Sequence, residues 1–382
     1  MRVHPSLLLW SALLLAQACG SSDDPGGAGA TGGSGGTATG GVAGTDASLG
    51  GSAGSVAGAG GVAGTDASLG GSAGSDAGAG GVAGTDASTG GASGASTGGT
   101  GGVAPNPNFD CPTPNDAGTL GDAGVGVRLR VVAANLTSSN FQAYEDPGIR
   151  ILQGLAPDVA LVQEMNYLHG TLRDLVDTAF DPSFCFFRET QAGGIPNGIV
   201  SRYPIVAHGE WPDTSVPDRD FAWARIDVPG AVDLWAVSVH LKTTSAGVRA
   251  SEAQALIGFV QSQVPAGDYL VIGGDLNTDS TGESALGVLS ARVVTGGPRP
   301  VDQNDNDDTN QNRNKPYDWV LPSPGLSALE VPVQQGASSY PSGLVFDSRV
   351  YTPLSEVTPV QVGDSGAVSM QHMAVVKDFQ LP

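Results

Sequence analysis

From Val125 to Pro382 the sequence predicts an α/β (α+β) fold, a layered sandwich with mixed sheets, and three observations lead there. Apolar runs of strand length alternate with helical periodicities in the first half of this stretch. Hairpin-like pairs interrupt the alternation further on. Several of the runs also end in a polar side chain for which a buried strand alone has no use.

The residues before this stretch are of another kind. Arg2 and His4 precede the apolar run Leu7–Ala16, which is too short to span a bilayer and reads as a signal peptide over residues 1–19. It ends in Ala16-Gln17-Ala18-Cys19-Gly20, similar to the lipobox of bacterial lipoproteins. On that reading Cys19 carries a lipid anchor to a membrane; ordinary secretion is the other reading. Both place the mature protein outside the cytoplasm. Residues 20–124 are Gly/Ala/Ser/Thr-rich, and Gly-Val-Ala-Gly-Thr-Asp-Ala-Ser recurs at 41, 61 and 81. These repeats carry almost no side chain able to build a core, so they predict a disordered stalk rather than a solenoid.

The whole chain has a net charge of −21, and from Asn106 onward 16 Lys+Arg stand against 32 Asp+Glu. Such a balance argues against a strongly electrostatic grip on duplex nucleic acid, which draws its affinity from Lys and Arg. A hydrolase that holds phosphate locally is compatible with it. Of the three cysteines, Cys111 and Cys185 remain once Cys19 is lipidated. A disulfide in an oxidising compartment is one reading and two free thiols the other.

Arg128–Asn135 reads as a first strand ending in a polar residue, and Pro147–Leu155 as a helix entered through a proline. Val159–Glu164 is a second buried strand with a carboxylate at its end. Leu168–Phe180 has helical periodicity, with Leu172, Leu175 and Val176 on one face. Short strands follow around Cys185–Arg188, Gly198–Ser201 and Val206–Trp211. Phe221–Val228 and Val232–His240 pair across a Pro-Gly turn. Val248–Val264 reads as an amphipathic helix and Tyr269–Asp275 as the next strand. A short helix near Glu283–Leu289 and strands at Tyr317–Leu321 and Ala374–Phe379 complete the series.

The polar strand ends form a set: Asn135, Glu164, His240, Asp275 with Asn277, Asp318 and His372. In Gly273-Gly274-Asp275-Leu276-Asn277 the glycines permit a sharp turn. If strand geometry persists, Asp275 and Asn277 share one face. Carboxylate and amide oxygens suit a hard cation, and histidines suit proton transfer beside a phosphate.

Gly-Asp-Leu-Asn, a preceding Ser-Val-His-Leu and a terminal His-x-x-Val-Val resemble, in combination, the endonuclease/exonuclease/phosphatase superfamily over about Val127 to Phe379. The resemblance implies a four-layer sandwich of two packed mixed β-sheets flanked by helices. It implies Glu164 as the principal Mg²⁺ ligand helped by Asn135, with Mn²⁺ or Ca²⁺ as alternative ions. Asp275 would contact the metal or the attacking water, and Asn277 the scissile phosphate. His240 and His372 would flank that phosphate, with Asp318 setting the His372 tautomer. One departure stands out: relatives commonly have Asp before the last histidine, where this chain has Gln371. An amide cannot supply that negative charge.

The expected activity is a Mg²⁺-dependent phosphodiesterase acting on nucleic acid, from a monomer with no protein partner. Phospholipid or sphingomyelin hydrolysis is the enzymatic alternative, for which an exposed aromatic hairpin such as Phe184, Phe186 and Phe187 would speak. A catalytically silent surface protein is the other. The acidic loop Asp302–Asn310 is open to two readings, a calcium site or a solvated surface loop.

Overall fold

A computed structural model describes residues 106–112, 126–190 and 194–382. The expected signal peptide, the Cys19 anchor and nearly all of the expected stalk lie outside the described residues. The described residues form fifteen strands: β1 (Phe109–Asp110), β2 (Arg128–Ala134), β3 (Val159–Val162), β4 (Cys185–Arg188), β5 (Gly198–Ser201), β6 (Ile205–Trp211), β7 (Phe221–Ile226), β8 (Leu234–His240), β9 (Tyr269–Asp275), β10 (Asp318–Pro322), β11 (Glu330–Val331), β12 (Val333–Gln335), β13 (Ser338–Tyr340), β14 (Leu344–Phe346) and β15 (Ala374–Gln380). The main helices are α1 (Asp146–Leu155), α2 (Leu172–Ala179), α3 (Ala246–Gln263) and α4 (Ser284–Leu289).

The first sheet runs β1-β4-β5-β3-β2-β15-β11, with β14 also pairing to β15; the second runs β10-β9-β8-β7-β6. Both are mixed, since β2–β3 and β8–β9 are parallel and their other pairings antiparallel. Period-2 alternation explains how they stack. Leu129, Val131 and Ala133 of β2 enter one apolar cluster with Ala222, Ala224, Leu234 and Ala236 of the facing sheet. The intervening Val132 and Ala134 point the other way, into a cluster with α1 and α2 residues such as Ile151, Leu155 and Leu175. On the far side, Val237, Val239, Leu270 and Ile272 pack against Leu256, Ile257 and Val260 of α3 and Leu286 of α4. Three apolar layers thus separate helix, sheet, sheet and helix, which is the expected four-layer sandwich.

Local chemistry sets the helix boundaries. Thr171 caps α2 through a reciprocal pair with Asp174, so this helix begins at Leu172, later than the apolar periodicity indicated. In α3 the buried face keeps its i, i+3, i+4 spacing, but it begins with Arg249 and Glu252 rather than apolar residues. Arg249 is fully buried and paired with Glu283 and Asp279. No described helix is long and apolar enough to cross a membrane.

Cys111 and Cys185 form a disulfide across 74 residues, fastening the segment that carries β1 to β4. Its removal (Cys111→Ser with Cys185→Ser) is expected to lower stability by about 2–4 kcal/mol, chiefly by freeing the unfolded chain. Urea unfolding of both proteins measures this; equal midpoints would contradict it.

Candidate active site

Strand register builds the centre. His240 lies directly opposite Asp275 in the parallel β8–β9 pair, and Asp318 lies opposite the same Asp275 in the antiparallel β9–β10 pair. Three neighbouring strands therefore end their ladders on one polar rung. The facing sheet contributes Asn135 just past β2, Glu164 just past β3, and His372 two residues before β15. All six are buried.

Gly274 makes this close approach feasible. Its φ is +125°, and a Cβ there would lie 2.3 Å from both the Val239 carbonyl oxygen and the Gln163 side-chain nitrogen. Gln163 Nε2 bonds Ser238 Oγ at 2.9 Å, joining the two sheets just beneath the site. Gly274→Ala is therefore expected to destabilise the protein by about 2–5 kcal/mol through backbone strain and overlap. Thermal unfolding checks this; an unchanged melting temperature would contradict it.

Asp275 is the hub. Its Oδ2 lies 3.2 Å from His240 Nε2, 3.4 Å from His372 Nε2 and 3.2 Å from the Asn135 amide nitrogen, which donates to it. Its Oδ1 accepts the Asn277 backbone N–H at 2.9 Å. His372 Nδ1 stands 3.1 Å from Asp318 Oδ2. The Thr137 hydroxyl donates to Glu164 Oε2 at 2.6 Å. Glu164 itself has φ +52°, a sparsely populated conformation that the surrounding structure imposes at the end of β3.

The two imidazoles differ in charge. Burial, the Arg219 guanidinium and His372 all push the His240 imidazole well below its ordinary range, so it is neutral near pH 7. Burial also works against the His372 cation, but the Asp318 and Asp275 carboxylates outweigh it and hold His372 well above the usual histidine range. Burial raises the Asp275 carboxyl, opposed by the neighbouring His372 charge.

The donor set fits a hard divalent cation. Asn135 Oδ1 and Asp318 Oδ1 are buried acceptors without a donor, and ligand atoms of Asp275, Asp318 and His372 lie within 4.8 Å of one another. A hard cation takes carboxylate and amide oxygens, so Asp275, Asp318 and the Asn135 amide oxygen are the fitting ligands.

Two expectations change, those for Asn277 and for the acidic loop. Strand geometry stops at Asp275: Leu276 turns into the apolar layer under α3, and Asn277 continues at φ +51° with its amide donating to the Leu241 carbonyl at 2.9 Å. Asn277 thus joins the site through a left-handed turn, not by sharing a strand face. Gln371 is exposed, with only its backbone carbonyl engaged, by Gln311 N–H. Asp364 does not replace the missing carboxylate, because it is paired with Arg150 at 2.6 Å. The acidic loop is neither an open calcium loop nor freely solvated, since Arg313 fills it and bonds Asp302 at 2.8 Å.

Two residues escaped the sequence reading. Arg219, in the β6–β7 loop, is only 4% exposed; its Nε lies 3.6 Å from Asp218 Oδ1, and its charge acts on His240. Tyr317 tilts over His372 with ring centroids 5.7 Å apart. Tyr317 was legible as the neighbour of Asp318. Arg219 stands among Asp218 and Asp220 and reads as surface charge.

The profile of the Endonuclease/Exonuclease/phosphatase family matches residues 149–342, just over half of the chain, and these include Glu164, His240, Asp275, Asn277 and Asp318. No curated protein matches. Among solved structures, an endonuclease/exonuclease/phosphatase from Beutenbergia cavernae is 19% identical with a TM-score of 0.46, covering 66% of this chain and 72% of that one. One from Bacteroides vulgatus is 16% identical with a TM-score of 0.47, covering 67% of this chain and 100% of that one. A mannosyl-6-phosphatase from Bacteroides thetaiotaomicron is 15% identical with a TM-score of 0.43, covering 65% and 98%. On the family match the chain belongs to the endonuclease/exonuclease/phosphatase family, whose members are metal-dependent phosphoric ester hydrolases.

Proposed function

We propose that the protein is an extracytoplasmic Mg²⁺-dependent phosphodiesterase and that its substrate is DNA or RNA. The observation that carries this reading is the convergence of a neutral His240 and a charged His372 on one Asp275 oxygen, at 3.2 and 3.4 Å. Hydrolysis of a phosphodiester needs a proton acceptor for water, a proton donor for the leaving oxygen, and positive charge on the phosphoryl oxygens. Glu164, Asn135 and Asp275 would hold the cation, which when bound neutralises phosphoryl charge and acidifies water. The Asp275 carboxylate orients the attacking water and takes its proton. His372, steadied by Asp318, offers its proton and its charge to the phosphate. His240 and Asn277 position that phosphate from the other side, and the Arg219 charge adds a fixed positive field behind His240. A lipid anchor at Cys19 and the glycine-rich stalk would hold this monomeric domain away from the cell envelope, where extracellular nucleic acid is within reach.

A phospholipid phosphodiester is the second reading, and one observation favours it. Phe141 and Leu168, 70% and 57% exposed, stand on the loops directly following Asn135 and Glu164. The aromatic segment first considered for membrane contact gives no support, because Phe186 and Phe187 are buried. Incubating the purified protein and Mg²⁺ with plasmid DNA, with RNA and with sphingomyelin–phosphatidylcholine vesicles separates the readings. Nicked or degraded nucleic acid is the expected result. Release of phosphocholine with both nucleic acids intact would transfer the assignment to lipid.

A further inference from the structure

The loop Asp302–Asn310 holds a cation of the chain's own. The Arg313 guanidinium meets four oxygens: Asp302 Oδ2 and Asp347 Oδ2, each at 2.8 Å, the Asp308 carbonyl at 2.7 Å and the Asn306 carbonyl at 3.3 Å. Asp302 and Asp347 are buried, only 4% and 2% exposed. Carboxylate and carbonyl oxygens are the ligand types that a calcium ion takes. Here they surround a guanidinium, whose planar fork matches several oxygens at once through Nε, Nη1 and Nη2.

The loop so closed is fastened to both halves of the His372–Asp318 pair. Thr309 Oγ1 accepts the Asp318 N–H at 2.7 Å, and the Thr309 carbonyl accepts the Met373 N–H at 2.7 Å. Gln311 N–H bonds the Gln371 carbonyl at 2.7 Å, and Asn310 and His372 form a β-bridge. One three-residue stretch thereby spaces the segment carrying His372 from the start of β10 carrying Asp318. Asp347, which Arg313 grips from the far side, directly follows β14 and so belongs to the other sheet.

We infer that Arg313 is a positioning residue that stands in for a structural divalent cation, holding the 302–313 loop in the shape that sets the His372–Asp318 spacing. The catalytic part of this inference rests on the proposed phosphodiesterase activity; the structural part does not. Arg313→Ala leaves Asp302 Oδ2 and the Asn306 and Asp308 carbonyls without their guanidinium, and Asp347 with Arg349 alone at 2.8 Å, so the variant acquires a requirement for Ca²⁺ that the parent lacks.

The test is amide hydrogen exchange at Gln311, Asp318 and Met373 in the parent and in Arg313→Ala, with and without CaCl2, alongside calorimetric titration of CaCl2. The expected result is exchange at these amides at least tenfold faster in the Ca²⁺-free variant, restored by Ca²⁺ with one ion bound. With bis(p-nitrophenyl) phosphate and Mg²⁺, kcat is expected to fall about 10- to 100-fold with KM nearly unchanged, and to recover with Ca²⁺. Unchanged exchange, accelerated exchange that Ca²⁺ does not reverse, or a loss of stability with kcat intact would each overturn the inference. Should Arg313→Ala fail to fold, Asp302→Asn decides: faster exchange at Met373 without recovery in Ca²⁺ is expected, and parental exchange overturns the inference. If the parent hydrolyses no phosphodiester, the proposed function fails, while exchange and titration still decide the role of Arg313.

Discussion

Asp275→Asn is expected to reduce turnover of bis(p-nitrophenyl) phosphate by about 10³-fold or more, because one oxygen serves several partners at once. In the native protein Asp275 Oδ2 faces His240, His372 and the Asn135 amide. An amide at this position cannot accept a proton from water, and it removes one of the carboxylates that keep His372 charged. It also takes a negative ligand from the cation. Folding should survive, because the replacement keeps its shape and Asn277 N–H keeps an acceptor. Steady-state kinetics with a circular dichroism control measures this. A variant within tenfold of the parent would remove Asp275 from the chemistry.

Asp318→Asn and His372→Ala are each expected to cost about 10²- to 10⁴-fold, and the double variant little more than the worse single one. In the proposed mechanism Asp318 acts by orienting His372, which it meets at 3.1 Å. Losing the imidazole therefore leaves the carboxylate nothing to orient, and the cycle should be strongly non-additive. Multiplying effects would mean that Asp318 acts independently, for example as a cation ligand through its unpaired Oδ1. Direct measurement of kcat/KM for the four proteins distinguishes the two cases.

The layers and most of the site were legible in the sequence for a physical reason. Buried strands are almost wholly apolar, so Asn135, Glu164, His240 and Asp275 at their ends mark places where burial of a polar group must be compensated. The register that sets His240 and Asp318 against Asp275 depends on strand partners far apart in sequence, but the strand ends themselves fix it once the sheets form. Asn277 was misjudged because its left-handed turn depends on a long-range bond to the Leu241 carbonyl. Nothing in the sequence around Arg219, Arg249 and Arg313 signals their full or partial burial, since a buried arginine has the same local sequence as an exposed one. Only the fold supplies their carboxylate and carbonyl partners, Asp279 and Glu283 for Arg249, Asp302 and Asp347 for Arg313. The β12–β13 hairpin carries too few apolar residues to announce itself, and β14, though wholly apolar, is only three residues long.

The central claim, hydrolysis of a phosphodiester by a metal-dependent site containing His240, is tested most directly with three reactions. The parent would be assayed on bis(p-nitrophenyl) phosphate with Mg²⁺ and again with excess EDTA, and His240→Ala with Mg²⁺. Release of p-nitrophenol in the first reaction alone, restored after EDTA by added Mg²⁺, is the predicted result. Equal release with EDTA, or from His240→Ala, would contradict the account, because the activity would then need neither the cation nor this site.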